Sequence, residues 1–182
     1  MPRVAYVTPD NLPPDKRHLF DEIAKGRGFV PKPFQLLLHS PGACAQLSAL
    51  GQYIAFNSVL PPAVRELAVL AVSRELDCQY EWSRHESMAR KAGVSEAAVD
   101  VLKHRKSLTG MPSSEVTIVR YARDLVRRHR VSDASFQNVQ KMLGTQGAVE
   151  LTVAVGFYIL LELCMEALGV DLETEMKPLL PV

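Results

Sequence analysis

LPPAVRELAVLAVSRELDCQYEWSRHESMARKAGVS, residues 60–95, is the stretch that decides the fold. Pro61 and Pro62 suit a helix start, where the fixed φ of proline fits and its missing N–H is not needed. From Ala63 to Leu76 the run AVRELAVLAVSREL combines strong helix formers with apolar residues on most sides, which predicts a helix buried within a bundle or at a subunit contact. Polar positions on such a helix matter, and Glu66 is one of them. Asp77 predicts the cap of a second helix that starts at Cys78 and runs to Ala92, with Gly93 as its stop and Ser95 recapping the segment SEAAVDVLK. The stretch reads as a helical hairpin.

Upstream, Pro13 and Pro14 lead into DKRHLFDEIAKGRG, a short amphipathic helix expected to stop at Gly26 and Gly28, and Pro31 and Pro33 mark a turn. Ser40, with Pro41 at the first helical position, predicts a helix over PGACAQLSALGQYIAF that ends at Asn57 and Ser58. Downstream, the Gly110, Met111, Pro112 break precedes SSEVTIVRYARDLVRRHR, which has a Ser-Ser-Glu start and a basic last turn suited to the helix dipole. The RRHR run from Arg127 reads as the cap of that helix. Ser132 begins SDASFQNVQKMLG, and Gly147 to Leu168 forms a further apolar helix. AVRELAVLAV from Ala63 is faintly echoed by GAVELTVAVG from Gly147, which sets Glu150 opposite Glu66 and leaves open whether Glu150 forms a buried pair or helps a site. No segment alternates with period two between hairpin turns, so the expected class is all-α, a single domain over 1–182 with an N-terminal extension at 1–40.

Composition narrows the function. With 182 residues, 47% hydrophobic and 23% charged, the chain buries a core without disulfide or metal staples. Lys and Arg total 21 against 20 Asp and Glu, and a net charge of +1 gives no electrostatic footprint for nucleic acid or an acidic membrane. Pro and charge in the first 20 residues argue against a secretory leader, so a cytoplasmic location is expected. Leu151 to Leu161 is bounded by Glu150 and Glu162 and is shorter than the roughly 20 residues a bilayer needs. Cys44, Cys78 and Cys164 are odd in number and widely spaced, which fits neither a disulfide framework nor a zinc pattern.

Cys78, Glu81 and His85 stand three and four residues apart, which stacks them on one helical face. Glu81 and His85 form a proton donor and acceptor pair usable near neutral pH. Cys78 in a first helical turn is drawn toward the thiolate by unpaired N–H groups and away from it by Glu81. Glu66, twelve residues before Cys78 on a helix that must turn back against the next, is expected to face the same pocket and to share a proton with Glu81. Tyr80 and Trp82 flank that face and are candidate walls of the pocket or of a subunit contact. A metal held by Glu66, Cys78 and His85 is conceivable by ligand type, but the set is mixed and no metal is expected. Cys44 and Cys164 read as core, and His18, His39, His104 and His129 as solvated.

This pattern resembles the Glu, Cys-x-x-Cys, x-x-x-His signature of the carboxymuconolactone decarboxylase and alkylhydroperoxidase D superfamily. Glu66, Cys78 and His85 are in register with it, and Glu81 stands where the peroxidase motif has its second cysteine. The similarity is strongest from Leu60 to Ser95 and extends more weakly through RYARDLVRRHRVSDASF and VELTVAVGFY. The resemblance implies a homo-oligomeric helical bundle, commonly a trimer or hexamer, with no organic cofactor. It further implies acid–base lyase or isomerase chemistry on a small carboxylated or lactone-type product of aromatic breakdown, with Glu66, Cys78, Glu81 and His85 as the catalytic set. Two alternatives stay open: a thiol-dependent alkyl hydroperoxidase using Cys78, and a non-catalytic oligomeric ligand-binding protein.

Overall fold

The computed structural model describes residues 1–25 and 27–181, and these form two compact units. The first comprises 1–57 and 163–175 and contains helices α1 (His18–Ala24), α2 (Lys32–Leu37) and α3 (Pro41–Phe56). Its core gathers Leu19, Ile23, Val30, Phe34 and Leu38 with Cys44, whose thiol is buried and pushed up to about 12 by desolvation. The segment 163–175 is tied in by two backbone donors, Arg3 N–H to the Leu168 carbonyl at 2.8 Å and Lys32 N–H to the Glu173 carboxylate at 2.9 Å. Cys44 is therefore core, as its apolar helix suggested, whereas Cys164 is half-buried. Pro31 and Pro33 make a helix entry rather than a turn: Pro31 is the N-cap and Pro33 sits in the first turn of α2. The stop expected at Gly26 lies outside the described residues.

The second unit comprises 58–162 and 176–182, with α4 (Pro62–Glu75), α5 (Gln79–Lys91), α6 (Glu96–Lys103), α7 (Ser113–Arg128) and most of α8 (Asp133–Leu168). Helix α4 is its axis. Every residue from Glu66 to Arg74 is buried, and α4 packs chiefly against α5 and α7. Each fully buried Leu or Val there contributes about 1.5–3 kcal/mol. The all-α expectation holds, since no strand occurs among the described residues.

The hairpin ends as its residues dictate at one junction and differently at the other. Gly93 takes φ +94°, and Val94 N–H reaches back to the Ala89 carbonyl at 3.0 Å, a left-handed stop that glycine makes at no steric cost. Ser95 then caps α6 through Ala98 N–H at 3.1 Å. At the other end the N-cap of α5 is Cys78, not Asp77. Asp77 is left-handed, φ +53°, and its carboxylate is taken by Arg74 at 2.8 Å and Arg105 at 2.7 Å, so these ion pairs outcompete capping. The RRHR run ends α7 as read, with His129 as its C-cap at φ +58° and its N–H on the Leu125 carbonyl, while Arg127 and Arg123 bond to Glu75 at 2.9 Å.

Helix α8 runs over 36 residues but is broken at Gly144, where φ +74° and ψ 175° leave helical space. The break falls at Gly144, the last residue of the segment read from Ser132, and the helix resumes ahead of Gly147. By length and composition alone α8 is apolar enough to cross a membrane, more than the short run from Leu151 suggested, and 56% of its most apolar window is buried in the protein. The glutamates at its two flanks are buried too, which is how they come to matter.

Candidate active site

Within the second unit, three helices each contribute one stripe to a common face. From α4 come Glu66 and, seven residues on, Ser73; from the N-terminus of α5 come Cys78, Glu81 and His85; from α8 come Tyr158 and Glu162, four residues apart. All are buried except Cys78, which is half-buried.

His85 is the centre. Its Nδ1 lies 2.7 Å from Glu66 Oε2 and its Nε2 3.0 Å from Glu81 Oε2. A neutral imidazole has one donor and one acceptor nitrogen, so two facing carboxylates are satisfied together only by the imidazolium, which donates from both. Burial opposes that charge, but the hydrogen bonds and charges of Glu66 and Glu81 outweigh it and raise His85 to about 9. Arg65, 3.4 Å from Glu66 Oε1, adds a second positive charge, so the group Arg65, Glu66, His85, Glu81 is close to neutral as a whole.

That arrangement corrects the expectation for Glu66. Burial alone would make it hold a proton, but its bonds to His85 and then Arg65 reverse the effect and lower it below the usual carboxyl value. Glu66 is a carboxylate, and the proton lies on the imidazole. The carboxyl group that does hold a proton is Glu162, raised well above the ordinary range by burial and by Glu81.

Cys78 lies over the N–H groups of Tyr80 and Glu81, which lower its pKa without hydrogen bonds of good capping geometry. Burial first, then the Glu162 and Glu81 carboxyls, outweigh them and push the thiol far up. It is a thiol at neutral pH. The Tyr158 ring meets His85 edge to face, centroids 5.6 Å apart at 82°, and its phenol is raised by burial and by Glu81 and Glu66.

Of the remaining expected residues, Trp82 is wholly buried and donates its indole N–H to Glu86 at 2.6 Å within α5, and Glu86, which also takes Arg90, ties α5 to α6 through Lys103. Tyr80 is buried. Glu150 does not join the face: it accepts from Ser58 Oγ at 2.6 Å, Val59 N–H at 2.8 Å and Gln146 at 2.8 Å, fixing the approach to α4. Among the described residues no three His, Cys, Asp or Glu side chains are arranged to hold a metal ion. Sequence spacing missed Ser73, Tyr158 and Glu162. The available signal was Glu162 itself, a charge at the edge of the most apolar run.

Comparison with known proteins gives a consistent picture. Residues 41–124 match the family model described as the carboxymuconolactone decarboxylase family. An alkylhydroperoxidase AhpD core, a peroxidase-related protein from Ralstonia eutropha JMP134, superposes with a TM-score of 0.75 at 22% identity over 96% of this chain and 93% of that one. The apo debrominase Bmp8 does so with a TM-score of 0.74 at 14% identity over 94% and 92%. A peroxidase-related protein from Silicibacter sp. TM1040 gives 0.71 at 16% identity over 90% and 87%. At these identities the likeness to solved structures speaks for the fold. No curated protein sequence matches the chain.

Proposed function

We propose, from the match of residues 41–124 to the carboxymuconolactone decarboxylase family model, that the chain is a member of the carboxymuconolactone decarboxylase and alkylhydroperoxidase D-like superfamily and an enzyme of cofactor-independent acid–base chemistry acting on a small carboxylated or lactone-type substrate. The observation that carries the reading is the imidazolium of His85 held between two buried carboxylates, 2.7 and 3.0 Å away. Such a group has a proton ready for a carbanion or enolate next to a carbonyl, and its two carboxylate partners favour return of a proton to the ring from solvent afterwards. Glu81, one turn from Cys78, exchanges its bond to Nε2 for one to the substrate, while Glu66 and Arg65 keep the ring oriented. Cys78, the half-buried member, marks the side from which a small molecule enters.

Thiol chemistry is the weaker reading. A dithiol cycle needs a second cysteine near the first, and Glu81 occupies the motif position. Cys44 is locked in its own core with its thiol raised to about 12. Bmp8 shares the fold and has been crystallised as a cysteine variant with 2,3,4-tribromopyrrole, so a small planar ring belongs among the compounds to be tried. The reading also includes a homo-oligomer of three or six copies in the cytoplasm. Val149, Val153 and Leu160 form one exposed apolar line on α8 that suits such a contact.

The test is solvent-deuterium incorporation or carbon dioxide release across a panel of carboxylated lactones and keto acids. His85→Ala should lose about 10²–10⁴-fold, and Cys78→Ser should keep most of the rate. Turnover that survives His85→Ala, or peroxide consumption that vanishes in Cys78→Ser, would replace this reading with thiol catalysis.

A further inference from the structure

The three-helix face has a second end that the chemistry above leaves unused. There Ser73 of α4 meets Glu162 of α8, and both side chains are shut away from solvent. A serine hydroxyl has one proton to donate. Ser73 Oγ lies 2.9 Å from the Val69 carbonyl oxygen, which only accepts, and 2.8 Å from Glu162 Oε1. Were Glu162 ionised, two acceptors would compete for that proton, and one short contact would be oxygen facing oxygen with nothing between. A protonated carboxyl removes the conflict: Ser73 donates to Val69, and Glu162 donates to Ser73.

The second oxygen, Oε2, is buried with no hydrogen-bond partner. That is expensive for an atom carrying half a carboxylate charge and much less so for the carbonyl oxygen of an acid. The groups whose charge bears on this corner are Glu81 and Cys78 of α5, while α4 offers the Ser73 hydroxyl. Cys78 N–H bonds to the Ser73 carbonyl at 2.8 Å, so thiol and acid are held by the same serine; an ionised Glu81 opposes a charge on Glu162, and an ionised Glu162 opposes the Cys78 thiolate. Like charges this close do not form together.

We propose that Glu162 governs the thiol end of the site: at neutral pH it is a carboxylic acid hydrogen-bonded to Ser73, and as pH rises it ionises before Cys78, so that its charge withholds the thiolate. The inference rests on the same face being a proton-transfer centre, and it divides the labour along that face. The His85 end carries charge and moves protons, and the Glu162 end admits a single negative charge, which the acid takes before the sulfur.

Two measurements test it on the full-length protein without a known substrate. Infrared spectra of the wild type at neutral pH should contain the C=O stretch of a protonated carboxylic acid, downshifted in D₂O and missing in Glu162→Gln. Alkylation of Cys78 by iodoacetamide, followed on the Cys78 peptide by mass spectrometry, should begin at lower pH in Glu162→Gln. At a fixed alkaline pH it should run roughly threefold faster or more, the size of a half-unit drop in thiol pKa. A wild-type spectrum without the acid band, or alkylation profiles that superimpose, overturns the proposal. Should Glu162→Gln not fold, Ser73→Ala must shift the acid band, and an unmoved band is equally fatal. His85→Ala leaves the acid band in place, so failure of the proton-transfer reading and failure of this one are separate results.

Discussion

Glu66 and Glu162 are the same residue type, 3% and 2% exposed, on two helices of one unit facing one site, yet they carry opposite protonation states. Burial penalises charge at both, and is the first influence on each. What differs is the partner: Glu66 meets a group that becomes a cation, and Glu162 meets a hydroxyl and the field of another carboxylate. Burial therefore sets how strongly a buried acid depends on its neighbours, and the neighbour chooses the sign.

The strongest way to break this contrast is His85→Ala, which strands Glu66 and Glu81 as buried charges without their cation. It should cost about 3–5 kcal/mol in denaturant unfolding, and a cost under 1 kcal/mol would mean the two carboxylates do not need the imidazolium. Next comes pH. The folded value of His85, about 9, lies above its ordinary 6.5, so its contribution is fully present below pH ~6.5 and is lost as pH climbs through 9, on the order of 3 kcal/mol in all. Glu162, also raised, weakens the fold in the same direction once pH exceeds the ordinary carboxyl value, so the His85 contribution is read cleanly in Glu162→Gln. A stability profile flat from neutral to alkaline pH in that background would show that the ring is neutral in the folded protein.

Paired amide substitutions sharpen the comparison directly. Glu66→Gln breaks a charge-assisted bond and should cost about 1.5–3 kcal/mol, whereas Glu162→Gln replaces a neutral acid by a neutral isostere and should stay within about 0.5 kcal/mol. Equal costs would erase the distinction. The smallest effect on the charges of the site is expected at Trp82→Phe, which removes the indole bond to Glu86 for about 1–2 kcal/mol while leaving the His85 titration, followed by NMR, where it was. A moved titration would bring Trp82 back into the site.

Much of this was legible in residues 60–95. Proline entries, the Gly93 stop and the Ser95 cap are local backbone chemistry, and the three- and four-residue spacings of Cys78, Glu81 and His85 fix a common face on any helix. The cap assigned to Asp77 failed because Arg74 and Arg105 bid for its carboxylate, and Arg105 is 28 residues away. For Trp82 and Glu150 position along the chain left two roles open; the structure gives Trp82 a bond to Glu86 and the buried Glu150 a bond to Ser58.

The sequence by itself determined the helices and the α5 stripe of the site, because helical periodicity needs only neighbours along the chain. The tertiary structure alone decided which groups are charged. Helix α8 brings Tyr158 and Glu162 to residues some 75 to 90 positions earlier. A proton's place depends on solvent removed and partners supplied across that distance, and neither quantity is local.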